Sequence, residues 1–136
     1  DNSAPEPVML SAKTKVVEQK LPDGSKVTLN KNTEIAYVVN KKNVREVKLK
    51  GEAYFEVVHN EEVPFEIVID DITIKDIGTA FNVKALPGSN VIEVWVESGE
   101  VQFYSESSKG LTLVKGEKAL YDKTTKQFTK SIETEF

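Results

Sequence analysis

The chain has 136 residues, of which 39% are hydrophobic and 29% charged, a composition typical of one soluble globular domain and too apolar for a disordered chain. Its net charge of −4 argues against nucleic acid and anionic membrane surfaces as partners, since both attract clustered Lys and Arg. The sequence has no cysteine, which excludes disulfides, zinc–thiolate sites and cysteine nucleophiles. No apolar run approaches the length of a membrane span.

The first fifteen residues are predicted to be a linker. They begin DNSAPEPVMLSA, with two prolines among small and polar residues, a composition typical of a flexible lead-in. Because the chain starts at Asp1 rather than Met, we expect it to be a processed or excised piece of a longer protein.

A β-hairpin is predicted directly after this linker. Apolar and polar residues alternate from Val16, Pro22-Asp23-Gly24 interrupts the alternation, and Val27 and Leu29 resume it. Proline presets φ and glycine takes a positive φ, so the tripeptide predicts a tight turn between two strands.

Period-two alternation then continues along the chain, with polar or Gly/Pro breakers separating short runs. Runs of this kind about every 8 to 12 residues predict an all-β fold, here two packed, mostly antiparallel sheets in a sandwich or roll. Only Thr33–Val39 suggests something else, one short helical turn. The residues predicted to lie in the core are Phe55, Val57, Phe65, Ile67, Phe81, Val83, Val94 and Phe103.

Three glycines interrupt these alternating runs and are each followed by glutamate. They are Gly51 in VKLKGEAYF, Gly99 in VWVESGEVQF and Gly116 in LTLVKGEKALY. Glycine within a strand pattern marks a bend or a close backbone approach. We therefore predict corners at which a strand passes from one sheet into the other.

No catalytic residue is predicted. Glu52 and Glu56 lie on one face of a strand, about 13 Å apart at about 3.3 Å per residue, whereas glycosidase carboxylates are separated by about 5 to 9.5 Å. His59, the one histidine, lies in a polar loop without an adjacent nucleophile, which favours a solvated side chain.

No metal or cofactor site is predicted either. Asp70 and Asp71, with Asp76 beyond them, invite comparison with a calcium site, but the pair lies between two apolar runs where a tight turn needs polar residues. The spacing of an EF-hand is absent, and no glycine-rich phosphate-binding loop occurs.

Trp95 is the residue that favours a ligand-binding module, because an exposed tryptophan on a sheet face is a common platform for sugars. The run Val91 to Val96 is apolar on both faces, however, which favours a strand buried on both sides. Packing in the core is the preferred interpretation, and a carbohydrate-binding module built around Trp95 and the tyrosines is the alternative.

Six stretches follow one another along the chain in a recognisable order. They are LPDGSKVTLN (21–30), REVxLxGEAYFEV (45–57), PF (64–65), IGTAFNVKA (77–85), VESGEVQFY (96–104) and VKGEKALYD (114–122). Taken together, they resemble the periplasmic domain of the FecR family of transmembrane anti-sigma regulators, for which DGSxVxLN, GEAYFEV and GTxFNV in combination are specific.

The resemblance implies a non-enzymatic signalling domain in the periplasm of a Gram-negative bacterium. Such a domain relays the state of an outer-membrane TonB-dependent transducer, through the transducer's signalling domain, to an extracytoplasmic-function sigma factor. Family members bind the sigma factor through a cytoplasmic segment and are anchored by one membrane helix, and many add a small C-terminal module. The motif residues are then structural, with Gly24, Gly51 and Gly78 at turns.

The same resemblance implies the domain boundaries. Residues 1–15 are expected to be a linker that follows a membrane helix outside this chain, and residues 16–122 the FecR-type β domain. Residues 123–136 are expected to form a C-terminal hairpin strand and a linker toward a further module. Contact with the transducer is expected through edge strands and surface residues, because open β-domains present unpaired backbone groups there.

Overall fold

The computed structural model describes residues 5–132, and these residues form strands and turns with no helix among them. The all-β fold class predicted from the sequence is therefore confirmed. The strands of the described residues, in chain order, are β1 (Val8–Ala12), β2 (Val17–Lys20), β3 (Lys26–Leu29), β4 (Thr33–Val39), β5 (Arg45–Glu56), β6 (Phe65–Ile69), β7 (Ile72–Ala85), β8 (Val91–Ser105), β9 (Leu111–Val114), β10 (Glu117–Asp122) and β11 (Gln127–Ile132).

Hydrogen bonding joins these strands into one continuous sheet, in which β5, β7 and β8 each contribute to two layers. The first layer has the order β1-β4-β5-β6-β7-β8-β9, and the second has the order β2-β3-β5-β7-β8-β10-β11. Pairing among the described strands is antiparallel except between β5 and β6. The two predicted sheets are thus two layers of one sheet, connected by long strands that cross between them.

The two layers pack against each other through aromatic side chains. Phe55 of the second layer lies 6.1 Å, between ring centroids, from Phe65 of the first and is stacked at 5.4 Å on Phe81. Phe103 and Phe128 make a similar contact at 5.1 Å. Seven of the eight predicted core residues have no exposed surface, namely Phe55, Phe65, Ile67, Phe81, Val83, Val94 and Phe103.

Val57, the eighth predicted core residue, is only partly buried. It lies one residue beyond strand β5, which ends at Glu56, and still packs against the core. The prediction for Val57 is confirmed only in part, because a strand end cannot be located from the apolar pattern alone.

The β2–β3 hairpin predicted around Pro22-Asp23-Gly24 is confirmed by antiparallel pairing from Val17↔Leu29 to Lys20↔Lys26. Leu21 N donates to Ser25 O at 2.8 Å and closes the turn. The Thr33–Val39 segment, by contrast, is strand β4 rather than a helical turn. Its alternate residues Thr33, Ile35 and Tyr37 are buried, so packing on β5 decides its conformation.

Residues 8–12, which were expected to be part of a linker, form strand β1 and pair with β4. Its apolar residues Val8, Met9 and Leu10 are consecutive, so the sequence shows no period-two alternation here, and Ala12 is the buried residue of the strand. Within the segment expected after residue 122, β11 forms a hairpin with β10. Residues 1–4 and 133–136 lie outside the described residues.

Two of the three glycines predicted to form corners, Gly51 and Gly99, lie within strands that cross between the layers, whereas Gly116 lies in the turn between β9 and β10. Gly51 has φ +117°, and a Cβ built on it would lie within 3.0 Å of Thr33. Gly99 has φ +80°, and its Cβ would clash with the carbonyl oxygen of Gly78. Any residue with a Cβ would be strained at these φ values and would also clash with a backbone atom. The chain can therefore cross between the layers only with glycine at these two positions.

The crossings lie at opposite ends of the fold. Gly51 pairs with Ala85 at one end, whereas β7 and β8 cross together at the other end, where the register shifts between Ile77 and Ala80. The β9–β10 turn joins this second end, since Gly116 N donates to Val96 O at 2.9 Å. None of the described residues forms a helix of the length and apolarity needed to cross a membrane.

Candidate functional site

Buried polar residues gather at the end of the fold where β5 begins and β7 crosses between the layers. We call this group the polar corner and define it as Asp23, Ser25, Arg45, Asp76 and Thr79. The strand register brings its members together, because Arg45 is paired with Phe65 and Phe65 with Asp76. All except Asp23, which is partly exposed, are buried.

Arg45 is the centre of the polar corner. Its Nη1 lies 2.6 Å from Asp23 Oδ2 and donates to Val58 O at 2.8 Å, and its Nε donates to Val63 O at 2.8 Å. The guanidinium carbon stands 5.3 Å from the centroid of the Phe65 ring. A buried arginine needs this many partners to offset its desolvation, and these partners tie the β2–β3 turn to the loop that follows β5.

The Asp23 carboxylate is held in place by its own turn. Ser25 N donates to Asp23 Oδ1 at 2.9 Å and Ser25 Oγ donates to Oδ2 at 2.8 Å. Ser25 Oγ in turn accepts from Val58 N at 2.9 Å. Burial, with a smaller contribution from the Asp23 charge, raises the pKa of Tyr37. The Asp-Gly-Ser motif is therefore a connector between the hairpin and Arg45.

Asp76 is the carboxylate of the polar corner that has fewer hydrogen-bond partners. It is 8% exposed, and its Oδ2 accepts from Gly78 N at 3.1 Å. Its Oδ1 has no hydrogen-bond partner within residues 5–132. Burial raises the pKa of this carboxyl to about 6, against the opposing effects of the Gly78 N–H, of Arg45 and of His59. Asp76 can therefore gain and lose a proton near neutral pH.

Thr79 and His59 lie on either side of Gly78 in this region. Thr79 O accepts from Val57 N at 3.1 Å, whereas Thr79 Oγ1 is buried with no partner in the part of the chain that the structure describes. His59 stands against Gly78 and places its Nε2 3.4 Å from Glu61 Oε1. The His59 side chain is 56% exposed, so it is largely solvated, although it contributes charge to the environment of Asp76.

The two glutamates of GEAYFEV have different surroundings. Glu52 accepts from Asn30 Nδ2 and from Asn82 Nδ2, both at 2.9 Å, and thereby links β3, β5 and β7. Glu56 is exposed at the end of β5. They are not brought together into an acid–base pair, because they lie opposite different residues of β7, Lys84 and Ala80.

Asp70 and Asp71 form the turn between β6 and β7, as predicted, with Asp70 at φ +54°. Asp76 lies further along β7 on the buried face, away from this turn by the strand register. Within residues 5–132 no group of three or more His, Cys, Asp and Glu residues is arranged to hold a metal ion.

Trp95 lies on the outer face of the second layer. Ile92, Val94 and Val96 are buried, whereas the intervening residues of β8, including Trp95, are partly exposed. The prediction that this strand is buried on both sides was wrong, because no element covers this face in the described structure. Trp95 is paired with Asn82 on β7 and Lys118 on β10.

Tyr54 lies beside this tryptophan in the same row of cross-strand pairs, since it is paired with Asn82. Its hydroxyl donates to the carboxylate of Glu97. The outer face of the second layer therefore combines two aromatic rings with amide and carboxylate groups, an arrangement that can stack on and hydrogen-bond to a flat polar ligand.

Four strands of the described part lie at sheet edges, β1 and β9 in the first layer and β2 and β11 in the second. Lys130 of β11 donates to Thr112 O of β9 at 3.1 Å and lies 3.2 Å from Glu117, which links those two edges. Strand β2 carries Glu18 and Lys20. Strand β1 has no charged residue and exposes Val8 and Met9.

Arg45 and Asp76 were not predicted from the sequence to belong to a common site. The alternation contained the signal, since Arg45 shares a face with Val47 and Leu49, and Asp76 shares one with Ile72 and Ile74. An inward-facing charge on each of two strands calls for a buried partner. Which partners meet depends on strand pairing between distant segments, which the alternation does not specify.

Comparisons with known proteins agree with this structure. The FecR protein family model matches residues 8–102. Two crystal structures of a candidate anti-sigma factor from Parabacteroides distasonis ATCC 8503, at 2.50 and 1.65 Å resolution, superpose with a TM-score of 0.84 and 29% sequence identity. The match covers 93% of this chain and 60% of that protein, so this chain spans about three fifths of its length. A search of curated proteins found no match.

Proposed function

This chain belongs to the FecR protein family, and from that premise we propose that it is the periplasmic part of an anti-sigma regulator in a Gram-negative bacterium. In this proposal the domain contacts the signalling domain of an outer-membrane TonB-dependent transducer. The state of the transducer is then relayed to an extracytoplasmic-function sigma factor. The relay works by protein–protein contact and not by catalysis.

The family match over residues 8–102 is the observation that carries this proposal. The matched residues run from β1 into the second half of β8 and include every member of the polar corner. The superposition on a candidate anti-sigma factor over 93% of this chain supports the same role. In this proposal, binding of the sigma factor belongs to a cytoplasmic segment that a membrane helix joins to this domain. Residues 1–136 are assigned to neither the segment nor the helix.

The described surface is suited to contact with another protein. Its edge strands present unpaired backbone groups to which a partner can add a strand. Arg45 and Asp76 are buried, and the partly buried Asp23 carboxylate is paired with Arg45, so all three are engaged in structural contacts. The solved relatives are longer than this chain, and we assign part of the transducer contact to a module that follows residue 136.

Calorimetric titration against the signalling domain of the transducer encoded beside this protein tests the proposal. The 136-residue chain should bind weakly, and a version extended past Phe136 should bind more tightly. The signalling domain of an unrelated transducer is the matched control and should give no heat with either version. If neither version binds the cognate domain, the transducer relay is wrong.

A second candidate function is recognition of a carbohydrate on the outer face of the second layer. The observation that favours it is the partly exposed Trp95 beside Asn82 and Tyr54 on a face that no described element covers. Trp95 is the one tryptophan of the sequence, so its fluorescence reports on this face alone. Titration with soluble oligosaccharides should shift the emission if sugars bind, and Asn82→Ala should weaken the shift. An emission that stays constant excludes this function.

A further inference from the structure

Strand β1 differs from the other edge strands of the described part in what it offers to a partner. Natural edge strands carry charges, prolines or covering groups that prevent pairing with another chain. Strand β2 carries Glu18 and Lys20, and the Lys130 ammonium covers a carbonyl of β9. Strand β1, VMLSA, has no charge, and Val8 and Met9 are 40% and 63% exposed.

The unpaired side of β1 is available along the strand. Its five residues are all paired with β4, from Val8↔Tyr37 to Ala12↔Thr33, and with no second strand among residues 5–132. The first layer therefore ends in a row of backbone N–H and C=O groups without strand partners. A strand added there would extend the layer without disturbing the core.

The residues that flank β1 are complementary to themselves. Glu6 precedes the strand, Lys13 and Lys15 follow it, and all three are exposed. When two copies of β1 are aligned antiparallel with Leu10 opposite Leu10, Val8 of each copy falls opposite Ala12 of the other. Glu6 of each copy then lies just beyond the paired strands, at the end where the other copy has its bend with Lys13 and Lys15. This register also keeps Val8, Leu10 and Ala12 on the inner face of both copies, because residues of equal parity remain on one side.

We infer that β1 is a self-association edge at which a second copy of this chain adds antiparallel, so that the two first layers become one continuous sheet. The contact is isologous, with the same residues on both subunits, as a two-fold dimer requires. Two sets of opposite charges, one at each end, favour this orientation over the parallel one. In parallel pairing Glu6 would face Glu6, and Lys13 would face Lys13.

The dimer should be weak. A pair of five-residue strands buries less than the roughly 1,000 Å² expected of a stable interface, so the dissociation constant should be on the order of 100 μM. The opposite charges at the two ends are exposed, and raising the salt concentration should therefore weaken the association. The inference is independent of the transducer relay, since it concerns the isolated chain alone.

Sedimentation equilibrium of the 136-residue chain between about 10 μM and about 1 mM tests the inference. The average mass should rise reversibly from 15.2 kDa toward twice that value. Met9→Lys should keep the protein monomeric, because it adds a charge of the kind that blocks edges. Val114→Lys on β9 is the matched control, since Val114 is also an exposed edge residue, and should associate as the unmodified chain does. Circular dichroism melts of both variants should match that of the unmodified chain.

Charge reversal tests the register. Glu6→Lys in one variant, and Lys13→Glu with Lys15→Glu in a second, should each lose association several-fold, because like charges then meet at both ends. A mixture of the two variants should recover the association, because the two chains then form a heterodimer.

The inference is overturned if the unmodified chain stays monomeric at about 1 mM. It is also overturned if Val114→Lys abolishes the self-association while Met9→Lys leaves it intact. Unchanged association in both charge-reversed variants overturns the antiparallel register. Loss of transducer binding in Met9→Lys, with no self-association of the unmodified chain, would assign β1 to the transducer instead.

Discussion

Asp76 should make this domain less stable as the pH rises from the acid range through about 6. Its folded pKa of about 6 lies above the ordinary value of 3.8, so the folded state binds a proton more tightly than the unfolded chain. The stability gained on protonation is fully present below about pH 4 and is lost as the pH rises through 6. The difference in pKa corresponds to about 3 kcal/mol of free energy of unfolding.

The structure supports a magnitude of this order because Asp76 is 8% exposed and its Oδ1 has no partner within residues 5–132. Arg45 favours the charged form but is already paired with Asp23 at 2.6 Å, and His59 and Glu61 face the solvent side of the same region. The Asp76 charge therefore has incomplete compensation, and ionising it destabilises the fold.

Urea denaturation at about pH 5 and about pH 7.5 measures the free energy of unfolding on either side of the folded pKa, an interval that contains roughly half of the total loss. The unmodified chain should lose stability between the two values, and Asp76→Asn should lose much less of it. Asp71→Asn in the exposed β6–β7 turn controls for net charge, and His59→Gln controls for titration of the histidine. If Asp76→Asn keeps the full dependence on pH while His59→Gln removes it, the effect belongs to the histidine and the reasoning about Asp76 fails.

Three further predictions concern the core and the crossings. Phe55→Ala should lower the free energy of unfolding by about 3–5 kcal/mol, because Phe55 is fully buried and contacts both Phe65 and Phe81. A loss below about 1 kcal/mol in denaturant melts would contradict its place in the core. Gly99→Ala should lower the melting temperature far more than Ser107→Ala in an exposed turn, since its Cβ would clash with Gly78 O, and equal melting temperatures would refute the corner. Arg45→Met should lower the free energy of unfolding by about 3–5 kcal/mol because Asp23 then loses its cation. In a double-mutant cycle, Arg45→Met combined with Asp23→Asn should lower it by less than the sum of the two single changes.

The alternation of the sequence was sufficient to predict much of this fold. It placed Phe55, Phe65 and Phe81 in the core, because side chains in a strand alternate between the two faces. It also located the corners at Gly51 and Gly99, since glycine interrupts strands that are otherwise rich in β-formers. These features depend on neighbours in the sequence, and the local pattern therefore contains them.

The features that the sequence did not reveal depend on distant pairing or on exposure. Strand β1 was assigned to a linker because two prolines precede it among small and polar residues, and because its apolar residues Val8, Met9 and Leu10 are consecutive and do not alternate. Trp95 was assigned to the core because apolar residues on both sides of a strand indicate double burial, yet the structure leaves that face uncovered. The parallel pairing of β5 with β6 joins Arg45 to Phe65 across nineteen intervening residues, and no local pattern specifies such a contact.

The buried charges of the polar corner give a physical reason for the register of β5. A slip of one residue would turn Val47 and Leu49 outward and Glu46 and Lys48 inward, so burial of the apolar face excludes it. A slip of two residues keeps the apolar alternation and is not excluded by hydrophobic burial.

Such a slip would, however, remove Arg45 from Asp23, Val58 O and Val63 O. A buried guanidinium without these partners is far more costly than a displaced methyl group. The apolar alternation thus excludes odd slips, and the polar corner excludes even ones.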